Sequence, residues 1–188
     1  ALRSSLEDLV LYLARCAPRT LFLGKRRPLL LFTDGACEPD PAGGRSITTV
    51  GAVLLKDGVF KHFGAHVPPA LVEEWSQGGQ KQLVGQAEIL PVLVSRLTWP
   101  EDFRDEKNIA FIDNQSARFA LLKGDSPVQK SQSMIRDTWL FDAEYNCTSW
   151  YARVPTGANI GDHPSRLEFK KLLSLVSNSM GCEPVWPK

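Results

Sequence analysis

The order of strand-like and helix-like segments is the feature that most restricts the fold of this chain. A short apolar run at residues 29–34 predicts a buried strand. Two further runs, residues 47–55 and 59–66, follow with no helix between them, and Lys56-Asp57-Gly58 is typical of a tight turn. Three consecutive strands joined in this way predict an antiparallel meander.

Helices separate all the later strands. Apolar residues repeat at helical spacing in residues 81–97, which predicts a helix on the sheet with a kink or a late start at Pro91. A strand, two helices, a strand and a final helix are predicted at residues 108–113, 115–123, 127–145, 148–154 and 162–177. The predicted fold is therefore α/β: a mixed five-stranded sheet in the order βββαβααβα, with helices packed on it.

The first 27 residues differ in character from the rest of the chain. Ser4 and Glu7 can form a capping box, and apolar residues at helical spacing predict an amphipathic helix at residues 4–15. Six basic residues stand against two acidic ones in residues 1–27, although the whole chain has a net charge of +1. We expect an N-terminal helix and basic linker, residues 1–27, that joins a main domain, residues 28–188, to something upstream. The basic arm is compatible with phosphate contacts, and a solvated linker explains it equally well.

Cysteine usage and hydropathy exclude several classes of protein. The four cysteines lie far apart and form no C-x-x-C pair, so neither a zinc module nor a disulfide framework can be inferred. This usage favours an intracellular protein of the cytoplasm or nucleus. No apolar run approaches the length needed to span a bilayer, so we expect no membrane partner.

Four acidic residues stand where the predicted elements converge. Asp34 ends the first strand, Asp113 ends the fourth, Asp162 opens the last helix, and Glu88 lies beside the apolar stripe of the first long helix. An ionised glutamate in apolar surroundings is costly unless something compensates its charge. Mg²⁺ prefers oxygen ligands, and phosphate chemistry uses two such ions about 3.5–4 Å apart. A single aspartate at a strand end is more commonly a turn or cap residue, as Asp162 could be, but four converging carboxylates favour a metal site.

Four segments carry a family resemblance. They are residues 32–36 (Phe-Thr-Asp-Gly-Ala), 85–90 (Gly-Gln-Ala-Glu-Ile-Leu), 111–117 (Phe-Ile-Asp-Asn-Gln-Ser-Ala) and 153–166, which ends in Gly-Asp-His-Pro-Ser-Arg. In this order they resemble the motifs of the RNase H family, specifically the RNase H domains of retroelement reverse transcriptases. The likeness spans about residues 29–177.

The resemblance implies a function and a site. It implies a ribonuclease H that cuts the RNA strand of RNA–DNA hybrids endonucleolytically with two Mg²⁺ ions, for which Mn²⁺ could substitute. The implied catalytic residues and metal ligands are Asp34, Glu88, Asp113 and Asp162. The implied partners are the RNA–DNA hybrid and a reverse transcriptase domain, attached within a retroelement polyprotein or associated with it.

Five residues are candidates for substrate binding: Gly35, Ala36, Asn114, Gln115 and Asn159. The small side chains at residues 35 and 36 could let a nucleic acid strand approach the backbone closely. The polar residues at 114 and 115 could contact sugar or base edges, although polar residues after a strand often only cap a helix. The last of the five belongs to the closing motif.

Two departures from the family pattern bear on the site. Many cellular RNases H have a histidine in the loop before the fourth carboxylate, whereas the corresponding loop of this chain, residues 155–161, has none and His163 comes directly after Asp162. We expect His163 to be an exposed residue at the helix start. An insertion near residues 67–80 leaves Glu73 or Glu74 as rivals of Glu88, and Trp75 as either a stacking residue or a local packing anchor. We favour Glu88 and the packing role.

Two alternatives remain at this point. The first is a proofreading exonuclease or integrase of the same fold, which would also use acidic residues and two metals. The exonuclease would need a glutamate two residues after the first aspartate, where this chain has Ala36, and integrases space their carboxylates differently. The second alternative is a catalytically silent RNase H-like module that binds nucleic acid or serves as a scaffold. Such a module would be expected to lack a catalytic carboxylate, and all four candidates are present.

Overall fold

The structure, a computed structural model, describes residues 2–15, 27–38, 47–76 and 83–187. The strands are β1 Leu29–Glu38, β2 Ile47–Lys56, β3 Val59–His66, β4 Lys107–Ile112, β5 Thr148–Arg153 and β6 Met180–Gly181. The helices are α1 Leu2–Arg15, α2 Pro69–Ser76, α3 Val84–Thr98, α4 Pro100–Phe103, α5 Gln115–Lys123, α6 Gln129–Glu144, α7 Asp162–Ser165 and α8 Phe169–Leu175, with a 3-10 turn at Thr156–Ala158. None of the helices in these ranges is long and apolar enough to cross a membrane.

The described strands form one mixed sheet in the order β5-β4-β1-β2-β3-β6. The predicted meander of β1, β2 and β3 is confirmed, with Asp57 and Gly58 at positive φ in the turn between β2 and β3. Strand β4 runs parallel to β1, and β5 runs parallel to β4, as the helical crossovers require. The α/β fold class is confirmed, but the sheet has six strands. The sixth, β6, has only two residues beside β3, too few to show an alternating pattern.

Two predicted helices differ from those observed. Helix α3 begins at Val84 and includes Pro91, so the late start allowed for at this proline does not occur, while residues 81–82 of the prediction lie outside the described residues. The prediction of a single final helix at residues 162–177 is wrong. Two short helices, α7 and α8, are present instead, and Leu167 between them has a φ of 58°. A left-handed backbone conformation at a leucine ends regular helix there.

The insertion near residues 67–80 contains a helix rather than only a polar loop. Helix α2 begins at Pro69, whose fixed φ suits the first helical turn. It buries Val72 and Trp75 in the hydrophobic core. The packing interpretation of Trp75 is therefore confirmed.

The two faces of the sheet have different roles. Residues 29, 31, 33 and 35 of β1 alternate onto the face that α3 covers, and their neighbours on β2, β3 and β4 there are almost fully buried. The opposite face carries Asp34, and the short helix α7 lies against it. The core thus fixes β1 between two helical layers, one of which bears Glu88 and the other Asp162.

The N-terminal helix predicted at residues 4–15 is present as α1. It lies against α6, where Asp8 Oδ1 is 3.7 Å from Arg136 Nη1. Its apolar side chains Leu6, Leu9, Val10 and Leu13 remain more than half exposed. Most of the basic linker lies outside the described residues.

Candidate metal centre

Three of the four predicted carboxylates meet at one edge of the sheet. Strands β1 and β4 are parallel neighbours, so Asp34 on β1 and Asp113, directly after β4, reach the same end. Glu88 reaches them from α3, which packs across β1. One carboxylate oxygen from each of the three residues lies within 4.8 Å of the others.

A glycine allows α3 to come close enough for this. A Cβ on Gly35 would lie 2.1 Å from the carbonyl oxygen of Ala87 and 2.9 Å from the backbone nitrogen of Glu88. Pro91 has no N–H to offer the Ala87 carbonyl four residues earlier, so this oxygen lacks its usual partner within the helix. The backbone N–H of Gly35 instead donates to the Glu88 carboxylate, which ties the helix to the strand.

Two more glycines place α7 on the other face. A Cβ on Gly51 would lie 2.1 Å from the backbone nitrogen of Ser165, and one on Gly64 would lie 2.1 Å from the carbonyl oxygen of Pro164. Gly51 is the register partner of Asp34 in the β1–β2 ladder. The buried Ser165 hydroxyl therefore lies over Asp34 and donates a hydrogen bond to Asp34 Oδ2.

Asp162 lies beside this cluster, but its carboxylate forms an ion pair with Arg166. Arg166 Nε donates to Asp162 Oδ1 at 2.7 Å, and Arg166 Nη1 lies 3.6 Å from Glu38 Oε1. Asp162 is not within the three-carboxylate group, yet its charge contributes to raising the pKa of Asp34. The fourth predicted carboxylate is thus a neighbour of Asp34 with its own counter-cation.

Burial and mutual repulsion raise the pKa of two members of the cluster, Asp34 and Glu88. Burial raises the pKa of Asp34 to about 6, and the charges of Asp113 and Asp162 add to the rise against the Ser165 hydrogen bond. Burial and the charges of Asp34 and Asp113 raise the pKa of Glu88 to about 8, against hydrogen bonds from the Asn114 side chain and Gly35. A cation bound between the two carboxyl groups would favour their ionised forms and so offset both burial and mutual repulsion.

The residues present fit a divalent cation. Glu88 Oε2 and Asp113 Oδ1 are buried and have no hydrogen-bond partner in the described part of the chain. Buried acceptors without partners are uncommon and costly in folded proteins. All the donors in the group are carboxylate oxygens, which are the ligands that Mg²⁺ and Mn²⁺ prefer.

Comparison with known proteins gives a consistent answer at the level of fold. No known family model matches the sequence, and no curated protein matches it. The RNase H1 of Halobacterium salinarum superimposes with a TM-score of 0.57 at 16% identity, over 76% of this chain and 98% of that one. This chain has the RNase H fold.

Two further solved structures share the RNase H fold. The foamy viral protease-reverse transcriptase, solved in complex with an RNA/DNA hybrid, matches with a TM-score of 0.51 at 12% identity, over 80% of this chain and 22% of that one. LC9-RNase H1, a type 1 RNase H with the type 2 active-site motif, matches with a TM-score of 0.50 at 8% identity, over 76% and 71%. The predicted resemblance to the RNase H family, reverse transcriptase domains included, is confirmed for the fold.

The five predicted substrate-binding residues occupy different environments at the edge of the RNase H sheet. Gln115 is exposed at the start of α5, and Ala36 is partly exposed two residues beyond Asp34 on the same face of β1. Gly35 faces α3. Asn114 caps α5 by accepting from the Ala117 N–H at 3.0 Å and also hydrogen bonds to Glu88.

The side chain of Asn159 is buried and committed to the backbone. Its Nδ2 donates to the Thr33 carbonyl at 3.0 Å, and its Oδ1 accepts from the Gly161 N–H at 3.1 Å. These bonds tie the loop before α7 to β1 next to Asp34. Asn159 therefore fixes the position from which Asp162 approaches.

The rival acidic residues are placed elsewhere. Glu74 forms an ion pair with Lys130 on α6, and Glu73 is exposed on α2. Neither belongs to the group of carboxylates that could share a metal. His163 is partly buried, with Nδ1 3.7 Å from Glu168 Oε2, rather than an exposed helix-start residue.

Sequence reasoning assigned no role to Ser165, Arg166, Gly51 or Gly64. Ser165 and Arg166 lie within the closing motif, but their roles become apparent only when the fold brings them to Asp34 and Asp162. A signal for Gly51 and Gly64 was available. Glycine within an otherwise strand-forming run often marks a close backbone approach, and here both glycines face α7.

Proposed function

We propose that this chain is a ribonuclease H that hydrolyses the RNA strand of RNA–DNA hybrids by a two-metal-ion mechanism. The observation that carries the proposal is the cluster of Asp34, Glu88 and Asp113, which holds two buried carboxylate oxygens without partners at the edge of an RNase H sheet. A structural ion pair would place a basic side chain there. In the described residues, the nearby guanidinium of Arg166 binds Asp162 instead.

The four carboxylates would divide between two cation positions. Asp34, Glu88 and Asp113 would hold one ion, and Asp34 and Asp162 would hold the other, with Mg²⁺ as the expected cofactor and Mn²⁺ as a substitute. When bound, the two ions supply an activated water for in-line attack on the phosphodiester and charge stabilisation for the leaving oxygen. The expected products carry a 5′-phosphate and a 3′-hydroxyl.

The protein's own contribution is a rigid set of oxygen ligands. Ser165 fixes the orientation of the Asp34 carboxylate, and the Gly35 N–H with the Asn114 side chain fixes that of Glu88. Preorganised ligands reduce the reorganisation needed when charge develops in the transition state. Glu88 and Asp34 must release their protons before they can bind cations, so loading depends on pH in the range their raised pKa values define.

The substrate would meet the exposed rim of this cluster. We place Gln115 and Ala36 in direct contact with the hybrid, where 2′-hydroxyl groups in the minor groove distinguish RNA from DNA. Gly35, Asn114 and Asn159 would serve the substrate indirectly, because they hold β1, Glu88 and the α7 loop in place.

The wider setting is a reverse transcriptase of a retroelement. The foamy viral chain carries the same fold within a protease-reverse transcriptase, which supports this assignment. Residues 1–27 would then join the nuclease domain, residues 28–188, to a polymerase partner inside the cell. The exposed apolar side chains of α1 offer a surface that such a partner could cover.

A substrate panel tests the proposal. The purified chain is incubated with a labelled RNA–DNA hybrid, double-stranded RNA or double-stranded DNA, in Mg²⁺, Mn²⁺ or EDTA. We expect cleavage of RNA in the hybrid alone, only with metal, giving 5′-phosphate ends. Metal-independent cleavage, or equal cleavage of all three duplexes, would contradict it. Hybrid that is bound but left intact would favour the catalytically silent module.

A further inference from the structure

A basic residue beside the carboxylate cluster, Arg166, has no role in the proposed chemistry. Arg166 is 47% exposed, donates from Nε to Asp162 Oδ1 at 2.7 Å, and has Nη1 3.6 Å from Glu38 Oε1. The charge of Asp34 also acts on this guanidinium and contributes to raising its pKa. The guanidinium therefore binds Asp162 and lies near Glu38, and Asp162 is one of the two carboxylates that the proposed function assigns to the second metal ion.

We propose that Arg166 is a tethered counter-cation that competes with the second divalent ion and thereby sets its affinity. This inference rests on the proposed function, because it concerns the ion held by Asp34 and Asp162. Arg166 is a positioning residue in this account, since it acts through Asp162 and has no assigned contact with the substrate.

Two opposing effects determine whether Arg166 strengthens or weakens binding of the second ion. Arg166 orients Asp162, which helps a metal, but an exposed ion pair four residues apart on a helix changes an equilibrium by only about twofold. Its positive charge repels a metal ion bound to the same carboxylate. Repulsion between two unit charges about 4 Å apart changes a binding constant by roughly fivefold even in water. A divalent ion feels more than a unit charge does. Repulsion is therefore the larger effect.

The first ion position should respond differently. Asp34, Glu88 and Asp113 meet on the side of β1 and β4, and neither Glu88 nor Asp113 contacts Arg166 in the described structure. Asp34 belongs to both positions, but two of the three ligands of the first position are away from Arg166, so removal of the guanidinium should change the affinity of the first position much less than that of the second. The two positions can thus be separated in one titration.

The chain offers a matched control for the loss of an arginine. Arg104 is also 47% exposed and donates from Nε to Glu101 at 2.8 Å, at the opposite end of β4 from Asp113. Arg104→Gln removes the same charge from the same kind of pair without touching the carboxylate cluster. Arg166→Lys keeps the charge near Asp162 and separates charge from the shape of the guanidinium.

Calorimetric titration with Mn²⁺ in the absence of nucleic acid provides the test. We expect two binding events in the wild-type chain, and Arg166→Gln should tighten the weaker one about five- to tenfold while the tighter one changes less than twofold. Arg104→Gln and Arg166→Lys should match the wild type within twofold. Thermal unfolding of each variant confirms that it is folded.

Two results would overturn the inference. If Arg166→Gln leaves the weaker event unchanged or weakens it, the arginine does not compete with the ion, while the proposed nuclease function stands. If the wild-type chain binds no Mn²⁺ at all, the proposed function fails and the inference fails with it.

Discussion

The carbonyl oxygen of Ala87 lies so close to Gly35 that a single added carbon on the glycine would be 2.1 Å from it. This contact brings α3 down onto β1 and delivers Glu88 to Asp34. Cβ atoms do not approach backbone oxygen so closely, so no other residue fits at position 35 without a shift of the helix. The geometry of the carboxylate cluster therefore depends on a residue that carries no functional group.

Gly35→Ala should separate Glu88 from Asp34. The new methyl meets backbone atoms that cannot rotate away, so α3 must move. We expect hybrid cleavage to fall by at least 100-fold and the free energy of unfolding by roughly 2 kcal/mol, as for overpacked cores. Gly85→Ala is the control, because a Cβ there meets nothing within 4 Å. Gly85 lies within α3, where alanine is the better helix former, so this variant should keep full activity.

Ser165→Ala should weaken the hold on Asp34. The hydroxyl bond lowers the pKa of Asp34 against the effect of burial, so its loss raises that pKa further above about 6. We expect the Mg²⁺ concentration for half-maximal cleavage to rise about tenfold at pH 6.5 and less at pH 8.5. Ser174→Ala removes an exposed hydroxyl bonded to the Lys171 carbonyl and should behave as wild type. An equal effect of Ser165→Ala at both pH values would show that Ser165 acts only through packing.

The stability of the metal-free protein should fall as pH rises. Burial raises the pKa of Asp34 from 3.8 to about 6 and that of Glu88 from 4.5 to about 8. The folded state therefore keeps protons that the unfolded state releases, and this stability is complete below about pH 4 and lost as pH rises through 6 and 8. Urea unfolding in EDTA at several pH values measures the decline.

A glutamine at position 88 isolates one part of this decline. Glu88→Gln stays neutral, so in EDTA it should be more stable than wild type at pH 8.5 by on the order of 4 kcal/mol and similar at pH 4. Saturating Mg²⁺ should stabilise the wild type and help the variant much less. Asp137→Asn, on the exposed side of α6, should retain the wild-type pH dependence. A wild-type stability that does not change between pH 4 and 8 would contradict the raised pKa values.

A buried ion pair supports the helix that carries Glu88. Arg96, fully buried on α3, donates to both carboxylate oxygens of Asp142 on α6, at 2.7 and 3.2 Å. Asp142→Ala would leave a buried guanidinium without its counter-charge, which typically costs about 3–5 kcal/mol. Glu101→Ala breaks the exposed pair with Arg104, which solvent screens, and should leave the denaturation midpoint almost unchanged. Similar denaturation midpoints for the two variants would contradict this account.

The sequence predicted much of this architecture because its signals are local. Three elements lie where the sequence pattern predicts them. They are the apolar strand before Asp34, the turn at Asp57 and Gly58, and helix α5, which begins at Gln115 and ends at the left-handed Gly124. The three strand-end and helix carboxylates could be placed together because parallel strands share an edge. These predictions needed periodicity and topology alone.

The rest depends on contacts between distant segments. The break at Leu167 is a conformation that leucine rarely adopts, so helical spacing did not reveal it. Ser165 reaches Asp34 across 131 positions of sequence, and Gly51 matters only because α7 lies against it. The commitment of Asn159 to the Thr33 backbone is likewise invisible in the sequence, where an asparagine before the fourth carboxylate predicts substrate contact equally well.

The cluster of Asp34, Glu88 and Asp113 is proposed to hold a metal ion that hydrolysis of the RNA strand requires. The most direct test compares hybrid cleavage in Mg²⁺ by the wild type, Asp113→Asn and the surface control Asp137→Asn. We predict that Asp113→Asn, which keeps shape but removes charge, loses at least 100-fold in rate, while Asp137→Asn matches the wild type. Wild-type cleavage by Asp113→Asn would contradict the assignment of the site.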